Sequence, residues 1–325
     1  MSFVSIDDYR IIRKIGEGTF GEVYSGIDTR TNQKVALKKV IIHDKKDGFP
    51  IPALREISIL QHLKHPSILP LLAVAGTEES SLDGGFIALV FPYIKHDLLG
   101  ILRSAFVFSE PYRKYCIQSM LRGIGFLHQN SVLHRDIKAS NIFVDEKGEV
   151  SIADFGLSRF KNSKKQKYTP GVFTCWYRPP EILLGQRNYS EAADIWALGC
   201  LAAEILTGEV FLRGKSEIDQ LGLINKCCGE ISEKTFPGVS LLPDYTRMPF
   251  SSDQPTILDR LRGVDSGGAA LVEEMLQIDP AKRKPASELL KHRYFSAEPL
   301  PRIQNDILSF PSSHEYDIKV DALHK

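Results

Sequence analysis

Three side chains that could take part in phosphoryl transfer lie close together in the stretch from His134 to Asn141. The carboxylate of Asp136 can accept a proton from a hydroxyl group, and the ammonium group of Lys138 can neutralise a phosphate in transfer. The side-chain oxygen of Asn141 can bind Mg²⁺. Short apolar runs precede and follow this stretch, which is typical of a catalytic loop held between two small strands.

Four further motifs follow a fixed order along the chain. They are the glycine-rich run Gly16–Val23, then Val35–Lys38, Asp154–Gly156 with a second carboxylate, and Pro179–Glu181. Together with the first stretch, this order resembles that of the protein kinases. The glycines alone are a weak signal, because dinucleotide-binding proteins share their spacing. In those proteins a helix follows at once, whereas a strand is predicted here, and this disfavours a nicotinamide-dependent oxidoreductase.

Composition indicates an ordinary globular protein. The chain has 325 residues, of which 43% are hydrophobic and 25% are charged, and its formal net charge of +1 gives no reason to expect direct binding to nucleic acid or membranes. Its five cysteines lack paired spacing, which favours a reducing compartment over a disulfide framework or a zinc site. Neither a secretory signal nor a run long enough to span a bilayer is visible, so we expect a soluble intracellular protein.

The sequence predicts strands first and helices afterwards. Five strands are predicted at Tyr9–Ile15, Glu22–Ile27, Lys34–Lys38, Ile68–Val74 and Phe86–Phe91, with one helix at Pro50–Leu63. Helical periodicity then predicts Tyr112–His128, Asp194–Leu206, Ala269–Leu276 and Pro285–Leu290. From Ser296 onward the prolines follow no clear period, which predicts an extended tail.

The kinase resemblance implies an α+β, two-lobed protein kinase fold. Its N-lobe is expected to hold a five-stranded antiparallel sheet and one main helix, and its C-lobe to be mainly helical. We place the N-lobe at residues 1–93, the C-lobe at 94–295 and a C-terminal tail at 296–325. A single kinase domain is thus expected over about residues 9–295.

The resemblance also implies the reaction and its cofactors, ATP and Mg²⁺. Asp136 would orient the substrate hydroxyl and accept its proton, and Lys138 would steady the γ-phosphate. A lysine two residues after the catalytic aspartate is typical of the serine/threonine kinases. Asn141 and Asp154 would bind Mg²⁺.

Lys38 would hold the α- and β-phosphates and pair with Glu56 of the predicted N-lobe helix. The glycine-rich hairpin would lie over the triphosphate, because glycines let the backbone approach closely. A hinge at Pro92–Ile94 would pair with adenine through backbone groups. The expected nucleotide-binding residues are Ile15, Gly16, Glu17, Gly18, Thr19, Phe20, Gly21, Val23, Ala36, Lys38, Phe91, Pro92, Ile94, Asp97 and Phe143. Two of them, Phe91 and Phe143, could equally be core residues.

Two structural contacts are implied in the same way. Asp194 lies in a nearly apolar predicted helix and would need hydrogen-bond partners, which the family supplies from the backbone of the catalytic loop. Glu181 would pair with Arg283 in a buried ion pair.

The run Trp176–Glu181 resembles the cyclin-dependent and mitogen-activated kinases. Thr169 stands where the cyclin-dependent kinases carry an activating phosphate, which implies an activating kinase as a partner. A phosphate there would need arginines, and Arg55, Arg135 and Arg159 stand at matching positions. One anion could thereby tie the helix, the catalytic loop and the activation segment together.

The segment Pro50–Glu56 resembles the cyclin-docking signature, and Ile51 is a candidate contact. With Phe20 in place of an inhibitory tyrosine, the chain is most similar to the transcription-elongation branch, which includes the kinase subunit of positive transcription elongation factor b and the yeast Bur kinase. Pro52 departs from the threonine usual in that branch. This resemblance implies localisation in the nucleus, with the cytoplasm as a second location. It also implies low activity without a cyclin, because the Lys38–Glu56 pair would need an outside stabiliser.

The implied substrates are Ser/Thr-Pro sites, with the RNA polymerase II C-terminal repeat as the expected target. Val172, Phe173 and Arg178 would form the pocket for the proline, although Phe173 replaces the usual valine. A cell-cycle cyclin-dependent kinase is the alternative within the family. A pseudokinase that acts as a binding module is the alternative of another class, and it would predict a gap in the catalytic set. The sequence has no such gap.

Overall fold

The computed structural model describes residues 3–18, 21–41, 49–77, 87–161, 173–245 and 256–304 of this chain. They form two compact units. The first contains the described residues up to Phe106 together with Ser140–Ser158, and the second contains Val107–Ala139 together with Arg159–Gln304. The segment that carries both predicted Mg²⁺ ligands therefore belongs to the first unit. The lobe bounds given above stay a prediction.

A six-stranded sheet dominates the first unit, with the strand order β1-β5-β6-β4-β3-β2. Its short first strand pairs in parallel with β5, and the other neighbours are antiparallel. The strands are β1 (Phe3–Ser5), β2 (Tyr9–Gly18), β3 (Gly21–Asp28), β4 (Gln33–Lys39), β5 (Ala73–Gly76) and β6 (Ile87–Pro92). Four of the five predicted strands are confirmed, the fifth (Ile68–Val74) coincides with β5 only at Ala73 and Val74, and β1 was not predicted.

One face of this sheet carries a hydrophobic core. Val35 and Leu37 of β4 are 2% and 0% exposed, and they pack with buried side chains of the neighbouring strands, among them Val90 of β6. Successive side chains of a strand point to opposite faces. Ala36 and Lys38 therefore point away from this core, towards the face on which the predicted nucleotide site would lie.

Helix α1 (Ile51–His62) follows β4, the fourth strand in sequence order, and begins after Pro50. Pro52 lies in its first turn, where a missing backbone N–H costs no helical hydrogen bond. The helix buries Glu56 on one side, whereas Ile51 and Leu54 are 59% and 51% exposed on the other. The predicted helix is confirmed, with bounds shifted by one residue at each end.

The segment 140–158 contributes a small sheet to the first unit. Strands β9 (Ile142–Val144) and β10 (Val150–Ile152) form a hairpin, and β7 (His96–Asp97) pairs with β9. Ile152 donates a backbone hydrogen bond of 2.9 Å to Ser67 and accepts one of 2.9 Å from Leu69. These bonds explain why the predicted strand Ile68–Val74 is observed only at β5, since its first residues pair with β10 instead.

The second unit is mainly helical. Its central helix, α5 (Ala192–Thr207), is buried from Ala193 to Leu206 and is capped by Gly208, which has a left-handed φ of 81°. The helices of this unit are α3 (Glu110–Gln129), α4 (Pro180–Leu183), α5 (Ala192–Thr207), α6 (Glu217–Cys228), α7 (Ile257–Arg260), α8 (Ser266–Met275) and α9 (Ala286–Leu289), and α2 (Leu98–Leu102) lies in the first unit. None of the described helices is long and apolar enough to cross a membrane.

Two elements complete the second unit. Strand β8 (Val132–Leu133) precedes the catalytic loop and pairs with β11 (Arg159–Phe160). Residues 296–304 form neither helix nor strand, and they lie along the start of α3, where Arg302 donates a 3.0 Å backbone hydrogen bond to Pro111. The rest of the predicted tail lies outside the described residues.

Candidate active site

Lys38 lies between two carboxylates in the first unit. Its Nζ is 2.8 and 3.0 Å from the two carboxylate oxygens of Glu56 and 2.8 Å from Oδ1 of Asp154. The side chain of Glu56 is 3% exposed and that of Asp154 is 34% exposed. The three residues come from β4, α1 and the segment after β10, so their contacts tie the helix and the hairpin to the sheet.

The charge of Lys38 is set by these neighbours. Burial by itself lowers the pKa of Lys38, but the charges of Asp154 and Glu56 and the hydrogen bonds to both raise it by more, so the pKa lies above its ordinary value. Lys38 is therefore a cation at neutral pH and can attract a phosphate.

The two predicted metal ligands occupy neighbouring backbone positions in the first unit. The carbonyl oxygen of Asn141 accepts a 2.9 Å hydrogen bond from the N–H of Ala153, the residue before Asp154. Asp154 itself has a left-handed φ of 61°, which is uncommon for a residue other than glycine. A carboxylate and an amide oxygen are the hard donors that Mg²⁺ prefers, so this donor set fits the ion.

The sheet register brings several predicted nucleotide contacts onto one face. Val23 of β3 lies opposite Gly16 on one side and Lys38 on the other, and Ala36 lies opposite Phe91. Residues directly opposite each other on antiparallel strands share a face, and so do residues two apart on one strand. These five residues therefore lie on the face that α1 covers with Glu56. Ile15, another predicted contact, is 8% exposed.

The glycine-rich hairpin joins β2 to β3. Gly18 pairs with Gly21, which has a φ of 149°. A Cβ on Gly21 would stand 2.0 Å from the carbonyl oxygen of Lys39, so packing against β4 already requires a glycine there. Thr19 and Phe20, at the tip, lie outside the described residues.

Sequence reasoning missed an ionic network across this hairpin. Nζ of Lys14 is 2.8 Å from a carboxylate oxygen of Glu17 and 2.8 Å from one of Glu22, and the hydroxyl of Tyr24 donates to Glu22 at 2.9 Å. Glu17, a predicted nucleotide contact, is thus held by a residue of its own strand. No charge pattern at facing positions signals it, because the register places Lys14 opposite Tyr24 and Glu17 opposite Glu22, and the ion pairs run along the strand and diagonally across it.

The predicted hinge follows β6. Pro92 is the last residue of that strand, and Ile94 is half-buried. Asp97 is 4% exposed, and its Oδ1 accepts a 2.7 Å hydrogen bond from the N–H of Gly100, so it caps α2. Phe143 lies opposite Asp97 in the small sheet and is half-buried. Contact of Asp97 and Phe143 with the nucleotide stays a prediction.

In the second unit, Asp194 holds the backbone of the catalytic loop. Its carboxylate accepts hydrogen bonds from the N–H of His134 at 2.9 Å and of Arg135 at 2.8 Å, and Nε2 of His128 lies 3.0 Å away. Burial raises the pKa of Asp194, but the contacts with His128 and the loop lower it below its ordinary value. The expected backbone contact is confirmed, and it orients a loop in which Arg135 has a left-handed φ of 71°.

Asp136 has partners on both carboxylate oxygens. Nζ of Lys138 donates to Oδ2 at 2.8 Å, and the hydroxyl of Thr174 donates to Oδ1 at 3.3 Å. Asp136 is 6% exposed. The predicted pair of Asp136 and Lys138 therefore lies together, and Thr174 is a partner that sequence reasoning missed.

The segment after residue 172 has an unusual backbone. Phe173 has a left-handed φ of 70°, and its carbonyl oxygen accepts a 2.9 Å hydrogen bond from Nη2 of Arg178. The other terminal nitrogen of Arg178 pairs with Glu217, in the first turn of α6. Val172, also predicted in this pocket, lies outside the described residues.

A buried ion pair stabilises the end of this segment. Both terminal nitrogens of Arg283 donate to the carboxylate of Glu181 at 2.7 Å, and the side chains are 0% and 1% exposed. The pair predicted from the resemblance is confirmed.

Residues of the predicted phosphate switch are only partly described. Thr169 lies outside the described residues. Arg55 is half-buried on α1 in the first unit, whereas Arg135 is 2% exposed and Arg159 is half-buried on β11, both in the second unit. Their joint role stays a prediction.

These features define a protein kinase, and comparison with known families agrees. The chain belongs to the protein kinase family, whose domain matches residues 9–295. It is a serine/threonine kinase of the cyclin-dependent group with the expected α+β kinase fold.

Within that group, the chain is similar to kinases of transcription. Human cyclin-dependent kinase 9 is 40% identical over 319 residues, which cover 95% of this chain and 85% of the relative. The yeast RNA Pol II CTD kinase CTDK-1 complex contains a chain with a TM-score of 0.84 and 33% identity, which covers 92% of this chain and 96% of its own. The CAK complex of Chaetomium thermophilum bound to ATP-γ-S contains one with a TM-score of 0.83 and 35% identity, which covers 92% and 94%.

Proposed function

We propose that this chain, bound to a cyclin, transfers the γ-phosphate of ATP to serine or threonine residues followed by proline, and that its substrate in transcription is the RNA polymerase II C-terminal repeat. The preference for proline is the part that the described geometry supports most directly.

The observation that carries it is the bond between Arg178 and Phe173. The carbonyl oxygen of Phe173 accepts from Arg178 and is thereby engaged within the chain, so we infer that it does not accept from the backbone of an incoming peptide. If the residue after the phosphoacceptor has a backbone N–H, that N–H would be buried against Phe173 without an acceptor, which costs about 1–3 kcal/mol. Proline has no backbone N–H and loses nothing.

In the proposed phosphoryl transfer, each predicted side chain would have its own role. Lys38, held by Glu56, would bind phosphate oxygens, and Asp136 would orient the substrate hydroxyl and accept its proton, with Lys138 beside it. Asn141 and Asp154 would hold Mg²⁺, which neutralises phosphate charge when bound. The predicted nucleotide contacts on the sheet face would receive the base.

A cyclin would bind at the start of α1. Ile51 and Leu54 expose apolar surface there although they lie on a helix whose other side is buried, which favours a protein partner. The Lys38–Glu56 pair is already formed in the single chain. Low activity of the free chain would therefore need a cause other than a missing Lys38–Glu56 pair. We propose that the cause is the lack of a phosphate on Thr169, which an activating kinase would add.

The transcriptional role rests on the relatives. One similar structure is named as the kinase of the RNA polymerase II C-terminal domain, and the similar human protein is a cyclin-dependent kinase. By this similarity we propose a nuclear location.

The test uses the tagged full chain, isolated from its own cells with its bound partner. Two peptides of the polymerase repeat are compared, one with Ser-Pro and one with Ser-Ala at the acceptor site. We expect kcat/KM for the Ser-Pro peptide to be at least about tenfold higher, as the cost of one unpaired donor implies. Equal values would refute the proline preference, and absence of a cyclin from the isolated complex would refute the proposed partner.

A further inference from the structure

The backbone conformation of Phe173 needs support. Its φ of 70° lies in the left-handed region, where a bulky side chain is rarely found because Cβ crowds the backbone. Such conformations persist only where surrounding contacts hold them. The hydrogen bond from Arg178 fixes the carbonyl oxygen, but it does not act on the side chain.

The side chain is held by Tyr189. The two ring centroids are 6.0 Å apart and the planes meet at 68°, which is the favourable edge-to-face arrangement of aromatic rings. Phe173 is 4% exposed and Tyr189 is 6% exposed, so both rings are buried. The ring of Phe173 is therefore fixed at one place while its backbone keeps the left-handed turn.

Tyr189 belongs to a well-anchored loop between α4 and α5. The loop is bonded to both helices, because the N–H of Gln186 donates at 2.9 Å to the carbonyl oxygen of Glu181 in α4 and the N–H of Ala193 in α5 donates at 3.1 Å to that of Ser190. The side chain of Glu181 is in turn held by Arg283. The anchor for Phe173 is thus tied to the buried ion pair of the second unit.

We propose that Tyr189 is a positioning residue that determines the preference for proline after the phosphoacceptor. It acts through Phe173: without the ring contact, Phe173 relaxes to a negative φ, its carbonyl oxygen leaves Arg178, and that oxygen becomes an acceptor for the backbone N–H of a residue other than proline. This inference rests on the proposed Ser/Thr-Pro specificity. It adds that Tyr189, which acts through its ring contact with Phe173, sets that specificity.

The experiment compares Tyr189→Leu with Tyr189→Phe in the tagged full chain isolated with its partner. The leucine variant removes the ring, and the phenylalanine variant keeps it. The readout is the ratio of kcat/KM for the Ser-Pro peptide to that for the Ser-Ala peptide. We expect Tyr189→Leu to lower the ratio about fivefold, as the strength of one aromatic pair implies, and Tyr189→Phe to leave it unchanged.

The direction of the change separates positioning from damage to the fold. Relaxation of Phe173 improves the Ser-Ala peptide relative to the Ser-Pro peptide, whereas a poorly folded variant lowers kcat/KM for both by one factor and keeps the ratio, which would overturn the inference. In a Phe173→Gly background the ring partner is gone, so Tyr189→Leu should no longer change the ratio.

The two proposals fail differently. If the unmodified complex does not distinguish the peptides, the proposed specificity is wrong and the role of Tyr189 falls with it. If the unmodified complex prefers Ser-Pro and Tyr189→Leu keeps the full preference, only the role of Tyr189 is refuted.

Discussion

Replacing Arg283 by methionine should destabilise the chain strongly, although Arg283 belongs to neither the nucleotide site nor the peptide pocket. Besides its two 2.7 Å bonds to Glu181, the guanidinium donates to the carbonyl oxygens of Gln277 at 2.8 Å, Ile278 at 3.1 Å and Ala192 at 3.0 Å. It also lies 4.9 Å from the centroid of a buried tryptophan ring. The substitution leaves a buried carboxylate without its counter-charge.

The magnitude follows from burial. Breaking a buried ion pair by removing one partner costs about 3–5 kcal/mol, and the three carbonyl groups place Arg283→Met at the upper end of that range. For a large domain, about 2 °C of melting temperature is lost per kcal/mol, so we expect a fall of roughly 10 °C in thermal unfolding followed by circular dichroism.

The neighbouring Lys284 provides a matched control. Its Nζ is also 2.7 Å from a carboxylate oxygen, that of Glu274, but the two side chains are 47% and 30% exposed. Because solvent screens such a pair, Lys284→Met should cost no more than about 1 kcal/mol. Adding Glu181→Met to Arg283→Met should raise the free energy of unfolding by at least about 1 kcal/mol, since it removes the buried carboxylate that has lost its partner. Equal losses for the two single variants, or a double variant less stable than Arg283→Met, would refute the reasoning.

Three further predictions concern the two units and the docking helix. Asp154→Asn keeps the size of the side chain but removes a charge from the Lys38 cluster, so ATP turnover should fall at least about hundredfold; a fall of less than tenfold would contradict the assigned role. Ile51→Asp should weaken cyclin binding at least about tenfold in a pull-down titration, whereas the equally exposed Leu258→Asp should not, and equal effects would exclude docking at α1. The folded-state pKa of Asp194 is lowered, so its contribution to stability is present at neutral pH and lost as the pH falls through that pKa. Asp194→Asn should therefore lower the free energy of unfolding at pH 7 and flatten its decline below about pH 4 in urea titrations, and an unchanged decline would refute this.

The long periodic elements could be predicted from the sequence because their signals are local. Helix α5 was predicted to within two residues at its start and one at its end, since almost every position in it is apolar. Short elements behave differently. Strand β1 has only three residues, which is too short for a periodic pattern to predict it. It also pairs with β5, about seventy positions further along the chain.

The candidate site shows the same division. The residue types of the Lys38 cluster and of the Asp136 pair could be predicted from motif order. The partners Thr174 and Glu217 could not, because each reaches its target from a distant position and carries no spacing signal. Asp97 shows the converse. Its capping of α2 is a local pattern, an aspartate directly before a helix, but the resemblance predicts it only as a nucleotide contact.

Backbone strain is the property that the sequence predicts least well. It is concentrated in the segments that carry the candidate site residues. Five described residues other than glycine have a positive φ, and three of them are Arg135 in the catalytic loop, Asp154 beside Lys38 and Phe173 in the peptide segment. Each has a specific restraint nearby, because Asp194 accepts from the N–H of Arg135, Lys38 donates to Asp154, and Arg178 holds the carbonyl of Phe173. Since sparsely populated conformations persist only where contacts over-determine them, these restraints belong to the site as much as the groups that touch substrate.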